Sequence, residues 1–267
     1  MPPCPAMFST YGWYKMPVVS MVCREIGAST GRTAMIRAIT LLALTGLLVT
    51  NGALAEGRLQ KYQNKANCYV WNPQPQKKET VTWTGRCVAS RADGSGTQTW
   101  RFWKNGAWKE DSYTGTQRDG KRHGRGVFSG SNGYKYDGEY RNGKRHGRGV
   151  FRWGNDSKYD GGWRDNKKHG RGVSSWANGN KYDGEYRNGK QHGRGMFRWG
   201  DGTKYDGGWR DGKWHGRGFF TGADGSKYDG EYRHGKWHGR GVYTEKSGGK
   251  YVVESKNGKL LRKVRIK

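Results

Sequence analysis

Aromatic residues and glycines recur along the chain with a period of 23 residues, and charged residues fill the positions between them. With each leading tyrosine counted as position 1, the pattern is Tyr-x-Gly-x-x-x-x-Gly-x-x-x-Gly-x-Gly, and position 5 is Tyr or Trp in most units. This alternation is typical of β-strands with one wet face, and it predicts tandem β-hairpins. The leading residues are Tyr113, Tyr136, Tyr159, Tyr182, Tyr205, Tyr228 and Tyr251.

The turn of each hairpin is predicted at positions 7 and 8. These positions read Asn-Gly, Asp-Gly or Asp-Asn in five of the six full units, which favours a two-residue type I′ turn, and His234-Gly235 is the exception. Such a turn places position 6 opposite 9, and continuing outward 5 opposite 10, 4 opposite 11, 3 opposite 12, 2 opposite 13 and 1 opposite 14. We therefore expect Asp137 opposite Arg148 and Glu139 opposite His146.

This register separates the side chains into two faces. Positions 1, 3, 5, 12 and 14 form an aromatic face whose glycines leave troughs that rings can cover, and positions 2, 4, 6, 9, 11 and 13 form a charged face. A second loop at positions 19 to 22 leads into the next hairpin. The predicted fold is all-β: an elongated, twisted, single antiparallel sheet of tandem hairpins, a solenoid-like rod.

Both ends of the array carry predicted caps. Trp83, Gly85, Gly94 and Gly96 repeat the pattern loosely, so the array of residues 83–250 begins with a divergent unit. The expected segments are an N-terminal cap at 56–82, the units 83–112, 113–135, 136–158, 159–181, 182–204, 205–227 and 228–250, and a capping hairpin at 251–267. In that hairpin Leu260, Leu261, Val264 and Ile266 are expected to cover the last aromatic face.

Residues 35–55 have the features of a secretory signal peptide. Arg37 precedes an apolar stretch over 38–50, and Ala53-Leu54-Ala55 resembles a cleavage site. Residues 1–34 form an N-terminal extension that an over-long start assignment would explain. We therefore expect an exported protein, periplasmic or secreted, and an uncleaved membrane anchor is the alternative.

Composition supports a thin sheet without a thick aliphatic core. The chain has 46 Gly among 267 residues and only 32% hydrophobic residues, yet its 13 Trp and 16 Tyr are too many for a disordered chain. Its formal net charge is +28. Cys68 and Cys87 follow the signal segment and predict one disulfide in an oxidising compartment, with free thiols or half of a metal site as alternatives.

The repeated segment Tyr-Asp-Gly-Glu-Tyr-Arg-Asn-Gly-Lys-x-His-Gly-x-Gly resembles the MORN repeat (membrane occupation and recognition nexus) over residues 83–250. The resemblance implies an elongated antiparallel sheet. The segment Cys-x-Val-Trp-Asn-Pro-x-Pro-Gln at 68–76 further resembles exported bacterial members. Repeats of this family occur as lipid-surface binders, as assembly scaffolds and as appendages of unrelated enzymes, so the resemblance leaves the function open.

Anion binding is the leading functional hypothesis. Arg at position 6, Lys at 9 and Arg at 13 recur on one face, and such a face suits phospholipid head groups or an acidic glycan. A solvated face that prevents aggregation is the alternative. Nucleic acid is not expected as the partner of an exported chain. The candidates are Arg141, Lys144, Arg148, Arg164, Lys167, Arg171, Arg187, Lys190, Arg194, Arg210, Lys213, Arg217, Arg233, Lys236 and Arg240.

A protein-binding scaffold or self-assembly through the aromatic face or the sheet ends is the second hypothesis. The pairs Trp209/Trp214 and Tyr232/Trp237 are candidate aromatic platforms, with intramolecular packing as the alternative. We predict no enzyme activity, because the repeats contain no nucleophile motif, no phosphate-cradling loop and no carboxylate pair in a cleft.

Neither a metal nor another cofactor is expected. The histidines at position 11 lie about 10 Å apart, one repeat from each other, which is too far to share a zinc ion. Their protonation below about pH 6 would add positive charge to the same face.

Overall fold

The computed structural model describes residues 58–73, 75–76 and 78–266, and within them every regular element is a β-strand. The predicted N-terminal extension and signal peptide lie outside the described residues. The strands are β1 Arg58–Lys61, β2 Tyr69–Asn72, β3 Glu79–Trp83, β4 Arg86–Val88, β5 Arg91–Lys104, β6 Ala107–Arg118, β7 Lys121–Ser129, β8 Lys135–Arg141, β9 Lys144–Arg152, β10 Lys158–Arg164, β11 Lys167–Ser175, β12 Lys181–Arg187, β13 Lys190–Arg198, β14 Lys204–Arg210, β15 Lys213–Thr221, β16 Lys227–Arg233, β17 Lys236–Thr244, β18 Lys250–Lys256 and β19 Lys259–Ile266.

The strands form a single open sheet of consecutive hairpins, as predicted. From β5 to β19 each strand pairs antiparallel with the next one in the chain. At the N-terminal end β1 pairs with β2, while β3 and β4 both pair with β5. One parallel contact, between Tyr69 and Arg91, joins β2 to β5.

The turns at positions 7 and 8 have the type I′ conformation that the sequence predicted. Asn142 and Gly143 have φ of 50° and 80°, and the exceptional pair His234-Gly235 has φ of 53° and 83°. The turns also join neighbouring units, because the Gly143 amide donates to the carbonyl of Arg122 in the preceding hairpin at 2.8 Å.

The predicted register is correct near the turn and wrong beyond it. Glu139 lies opposite His146, but the next pair is Gly138 with Gly149, so positions 12 and 13 are skipped. Asp137 consequently lies opposite Val150 and not opposite Arg148. The cause is a β-bulge: Gly147 has φ of 55°, and a Glu139 carboxylate oxygen accepts the amide hydrogen of Arg148 at 2.9 Å.

The bulge skips two residues, so the alternation of faces survives it. We call the two sides the ring face, which carries positions 1, 3, 5, 10, 14 and 16, and the outer face, which carries positions 2, 4, 6, 9, 11 and 15. On the outer face Asp137 lies between Val127 and Val150. The centre of the outer face therefore carries Asp–Val neighbours in place of the expected Asp–Arg pairs, which makes it more apolar than the sequence predicted.

The core is a row of tyrosines that fold back over glycines. The Tyr136 ring covers Gly138 and Gly149, and its hydroxyl donates to the carbonyl of Glu139 at 3.0 Å. The leading tyrosines alternate with the aromatic residues of position 5 in edge-to-face contacts, with ring centroids 5.1 to 5.5 Å apart. Because each ring touches the next unit, packing is transmitted along the sheet.

The N-terminal cap has its own small core. Cys68 and Cys87 form a disulfide, as the sequence predicted, and they pack near the buried residues Tyr62, Val70 and Val81. Trp83 takes the place of a leading tyrosine: its ring covers Gly85 and Gly96, and its indole N–H donates to the carbonyl of Arg86.

The C-terminal hairpin differs from the expectation. A one-residue register shift in β18 and β19 places Val264 opposite Val252, on the outer face, and leaves the four aliphatic residues named above exposed. The last rings are instead covered by Lys263, whose Nζ lies 3.9 Å from the centroid of Tyr251 and 2.8 Å from a carboxylate oxygen of Glu245.

Candidate cationic site on the outer face

The hairpin tips carry two of the three predicted cations in each unit. Arg141 and Lys144 are direct partners on either side of their turn, and the same pairing recurs in the following units. The tight turn brings the two side chains to the same face and the same edge of the sheet.

The third cation of each unit lies in the bulge, and the structure separates it from the tip pair. Arg171 lies opposite Glu185 of the next unit, whereas Arg148 and Arg194 lie opposite glycines at the same position. The predicted cationic row is therefore two rows, one along the tips and one along the bulges. Sequence reasoning missed this division because it placed the bulge glycine inside the regular ladder.

All fifteen predicted anion-binding residues are exposed. Within the described part of the chain none of them has a carboxylate partner within 4.0 Å. Their charges are thus available to an external anion.

An open groove of about 500 Å³ lies between two successive tips. It is lined by Arg187, Lys190 and Arg210 together with His192 and Asp211. The Asp211 carboxylate lies 3.8 Å from Nδ1 of His192, on the histidine side of the groove. Three cations around one opening can bind a phosphate or carboxylate group, and arginine supplies paired N–H donors for it.

The histidines of position 11 face the turn of the following unit. Nδ1 of His146 lies 4.0 Å from a carboxylate oxygen of Asp165, for example. Burial, reinforced by nearby arginines, lowers the pKa of His123, His169 and His215 below its ordinary value. These three histidines gain charge only at a more acidic pH than the sequence suggested. In the part of the chain that the structure describes, no cluster of three His, Cys, Asp or Glu side chains could hold a metal ion.

The proposed aromatic platforms are largely packed against other rings. Trp209 and Tyr232 are buried, and Trp214 and Trp237 are half-buried. Trp214 stacks on Tyr205 with a centroid distance of 4.3 Å and an interplanar angle of 8°. Trp237 stacks on Tyr228 in the same way, at 4.0 Å and 7°, so one face of each half-buried indole is already occupied.

Position 10 covers the leading tyrosine with a cation in the earlier units. Arg122 and Arg145 lie over rings at centroid distances of 4.4 to 5.9 Å. Lys168 lies 4.5 Å from the centroid of Tyr159 and donates to the hydroxyl of Ser174 at 2.9 Å. Burial lowers the pKa of Lys168 to about 8. Sequence reasoning missed this site, although Ser174 in place of the aromatic residue of position 16 marks it.

Among the described residues, no helix is long and apolar enough to cross a membrane.

These features define a tandem β-hairpin repeat protein with a self-packed ring face and a cationic outer face. The sequence model of the MORN repeat matches residues 113–133, 136–158, 159–181, 182–204, 205–227 and 228–250. The matches cover just over half of the chain, and the chain belongs to the MORN repeat family. MORN repeats are generally associated with membrane or lipid binding and are typically non-catalytic. The matches do not include the divergent unit 83–112. No curated protein matches the chain.

Proposed function

We propose that this chain is a non-catalytic, exported binding protein whose outer face attaches it to an anionic component of the cell envelope. The ligand groups are phosphates of lipid head groups or carboxylates of an acidic glycan. The observation that carries the proposal is the repetition of exposed tip cations without a carboxylate partner within 4.0 Å among the described residues.

The regular spacing of the tips supports binding to an extended surface. Each basic residue near an anionic membrane contributes about 1 kcal/mol, so a row of tips binds through many weak contacts. Exposed charges are screened by salt within about 10 Å, and we expect the binding to weaken as ionic strength rises.

The ring face is a poor alternative for this role. Its leading tyrosines and most of its position 5 residues are buried against one another. The outer face by contrast presents side chains that are free to move toward a ligand. Export is supported by the disulfide between Cys68 and Cys87, because such bonds persist in oxidising compartments.

Co-sedimentation with vesicles tests the proposal. We expect the protein to bind vesicles that contain phosphatidylglycerol and to stay in solution with phosphatidylcholine alone. Polygalacturonate in a parallel titration distinguishes a carboxylated glycan from a phosphate surface. A protein that binds neither at low salt would refute the proposal.

Charge-reversal variants locate the binding face. Arg187→Glu with Arg210→Glu removes two cations of the groove and adds two anions, and we expect binding that is weaker by at least about thirtyfold. Arg58→Glu with Lys61→Glu makes the same change in net charge on the exposed strand β1, outside the array. We expect this control to weaken binding far less. Equal losses in both variants would show that only net charge matters and would count against the outer face as the site.

A further inference from the structure

The hairpin of β5 and β6 extends beyond the strands on either side of it. Pairing of β6 with β7 ends at Ser112, and pairing of β3 with β5 ends at Phe102. Residues 103–108 therefore pair only with each other in the described part of the chain, around a turn with positive φ at Asn105 and Gly106. We call residues 101–109 the projecting hairpin.

Two exposed tryptophans occupy this hairpin. Trp103 and Trp108 are direct cross-strand partners, 44% and 47% exposed, with ring centroids 5.5 Å apart and planes at 78°. No hydrogen bond of either indole N–H is found among the described residues. Most other aromatic residues of the sheet are packed, and Trp71, Tyr134 and Phe219 are the others that are similarly exposed among the described residues. Within that part of the chain, Trp103 and Trp108 are the two exposed tryptophans whose rings contact each other.

One cation lies on the face of the pair. The Arg101 guanidinium, directly opposite Glu110, lies 5.4 Å from the ring centroid of Trp108, whereas Lys104 and Lys109 are exposed on the other face of the hairpin. The projecting hairpin thus combines apolar ring surface, free N–H donors and positive charge.

The tryptophan pair shares a face with the tip cations. Trp108 is five residues before Tyr113 in β6, and side chains separated by an odd number of residues lie on opposite faces of a strand. Tyr113 belongs to the ring face, so Trp108 and its partner Trp103 lie on the outer face.

We propose that the projecting hairpin inserts Trp103 and Trp108 into the interface of an anionic lipid bilayer. This inference rests on the proposed function and names the lipid surface as the ligand. Indole rings favour the bilayer interface, because the ring enters the acyl boundary while the N–H remains hydrated. Arg101 and the tip cations of the same outer face then meet the phosphate groups.

The geometry favours a bilayer over a sugar. Stacking on a glycan requires a flat, open ring face, whereas these two rings meet edge to face and present a wedge. Exposed apolar surface of this kind is stabilised by burial in a lipid interface, whereas a purely ionic contact with a polysaccharide leaves it in water.

The first test compares paired alanine variants in the full chain. Trp103→Ala with Trp108→Ala is expected to bind phosphatidylglycerol vesicles roughly tenfold more weakly. The two half-exposed rings together expose about as much apolar surface as one whole side chain, and the variant can no longer bury that surface in the bilayer. Binding to polygalacturonate and the salt dependence stay unchanged. Trp71→Ala, at a comparably exposed tryptophan in β2, serves as the control and binds vesicles as before.

The second test detects insertion in the unaltered protein. Lipids brominated near the head group are expected to quench part of the tryptophan fluorescence, and Trp103→Phe with Trp108→Phe removes that part. The inference is overturned if the alanine pair binds vesicles as tightly as the unaltered protein, or if the brominated lipids cause no quenching. In that case Arg187→Glu with Arg210→Glu can still weaken binding, and the proposed function then stands without the inference. A loss confined to polygalacturonate overturns it in favour of a glycan platform. If the unaltered protein binds no vesicles, the proposed function fails together with this inference.

Discussion

Replacement of Gly138 by alanine tests the packing principle of the whole array. A Cβ at this position would lie 2.5 Å from Cα of Gly149, 2.6 Å from the Tyr136 hydroxyl oxygen and 2.7 Å from the Arg148 carbonyl oxygen. Ordinary contacts of this kind are about 3.5 to 4.0 Å, and two of the three neighbours are backbone atoms that cannot move alone.

The cost follows from these contacts. Overpacking costs about 1 to 3 kcal/mol, and displacement of the Tyr136 ring also endangers its hydrogen bond to Glu139, which is worth about 1 kcal/mol. We expect Gly138→Ala to lower the free energy of unfolding by about 2 to 4 kcal/mol. Gly143→Ala is the matched control: it has φ of 80° and nothing within 4 Å of an added Cβ. We expect it to cost only the backbone strain, about 1 to 2 kcal/mol.

Urea unfolding with the disulfide intact measures both changes. In a double-mutant cycle, Tyr136→Ala should reduce the cost of Gly138→Ala, because the ring that clashes is gone. If Gly138→Ala costs no more than Gly143→Ala, or if the two changes at 136 and 138 are additive, the tyrosine does not pack over the glycine as described.

Three further changes test other parts of the structure. Glu139→Ala removes the carboxylate that accepts the Arg148 amide, and we expect a loss of about 1 to 2 kcal/mol in urea unfolding; no loss would mean that the bulge does not need this acceptor. Lys168→Gln removes a half-buried charge whose pKa is lowered from 10.5 to about 8 by desolvation, so the unfolded chain binds more protons between these values and wild-type stability rises with pH there. The variant should be more stable at neutral pH by about 1 to 3 kcal/mol, less than the full shift because the ring contacts of the ammonium are lost, and the difference should shrink above pH 8; a pH-independent difference would contradict this. Cys68→Ser with Cys87→Ser removes a disulfide of sequence separation 19 and should lower the free energy of unfolding by about 3 kcal/mol. An unchanged melting temperature would show that packing alone holds the cap.

Local chemistry explains how much of the fold could be predicted. A type I′ turn requires two residues with positive φ, and Asn-Gly is the dipeptide that adopts this conformation most readily. The hairpins and their period could therefore be derived from the sequence. The aromatic face also followed, because its side chains alternate with charges. The same glycine pattern could not distinguish a regular ladder from a bulge. Gly147 fits a trough and a left-handed conformation equally well. The same register shift recurs in units that have Thr116, Gly162 or Gly208 in place of Glu139, so the residue at position 4 does not reveal it.

The site was predicted in outline for the same reason. Positions 6 and 9 flank the turn, so their shared edge was predictable. The separation of the third cation depends on the bulge and was not. The projecting hairpin was also missed, although the longer 30-residue step from Trp83 to Tyr113 marked the place where extra strand length is inserted.

Lysine footprinting on vesicles reports which face of the bound sheet contacts the membrane. The protein would be labelled with an amine-reactive reagent in solution and on phosphatidylglycerol vesicles. If the outer face lies on the membrane, the tip lysines Lys144, Lys167 and Lys190 become several-fold less reactive, while Lys61 on β1 of the N-terminal cap keeps its reactivity. Tip lysines that react equally in both states, while Lys61 becomes protected, would contradict the claim that this sheet binds through its cationic face.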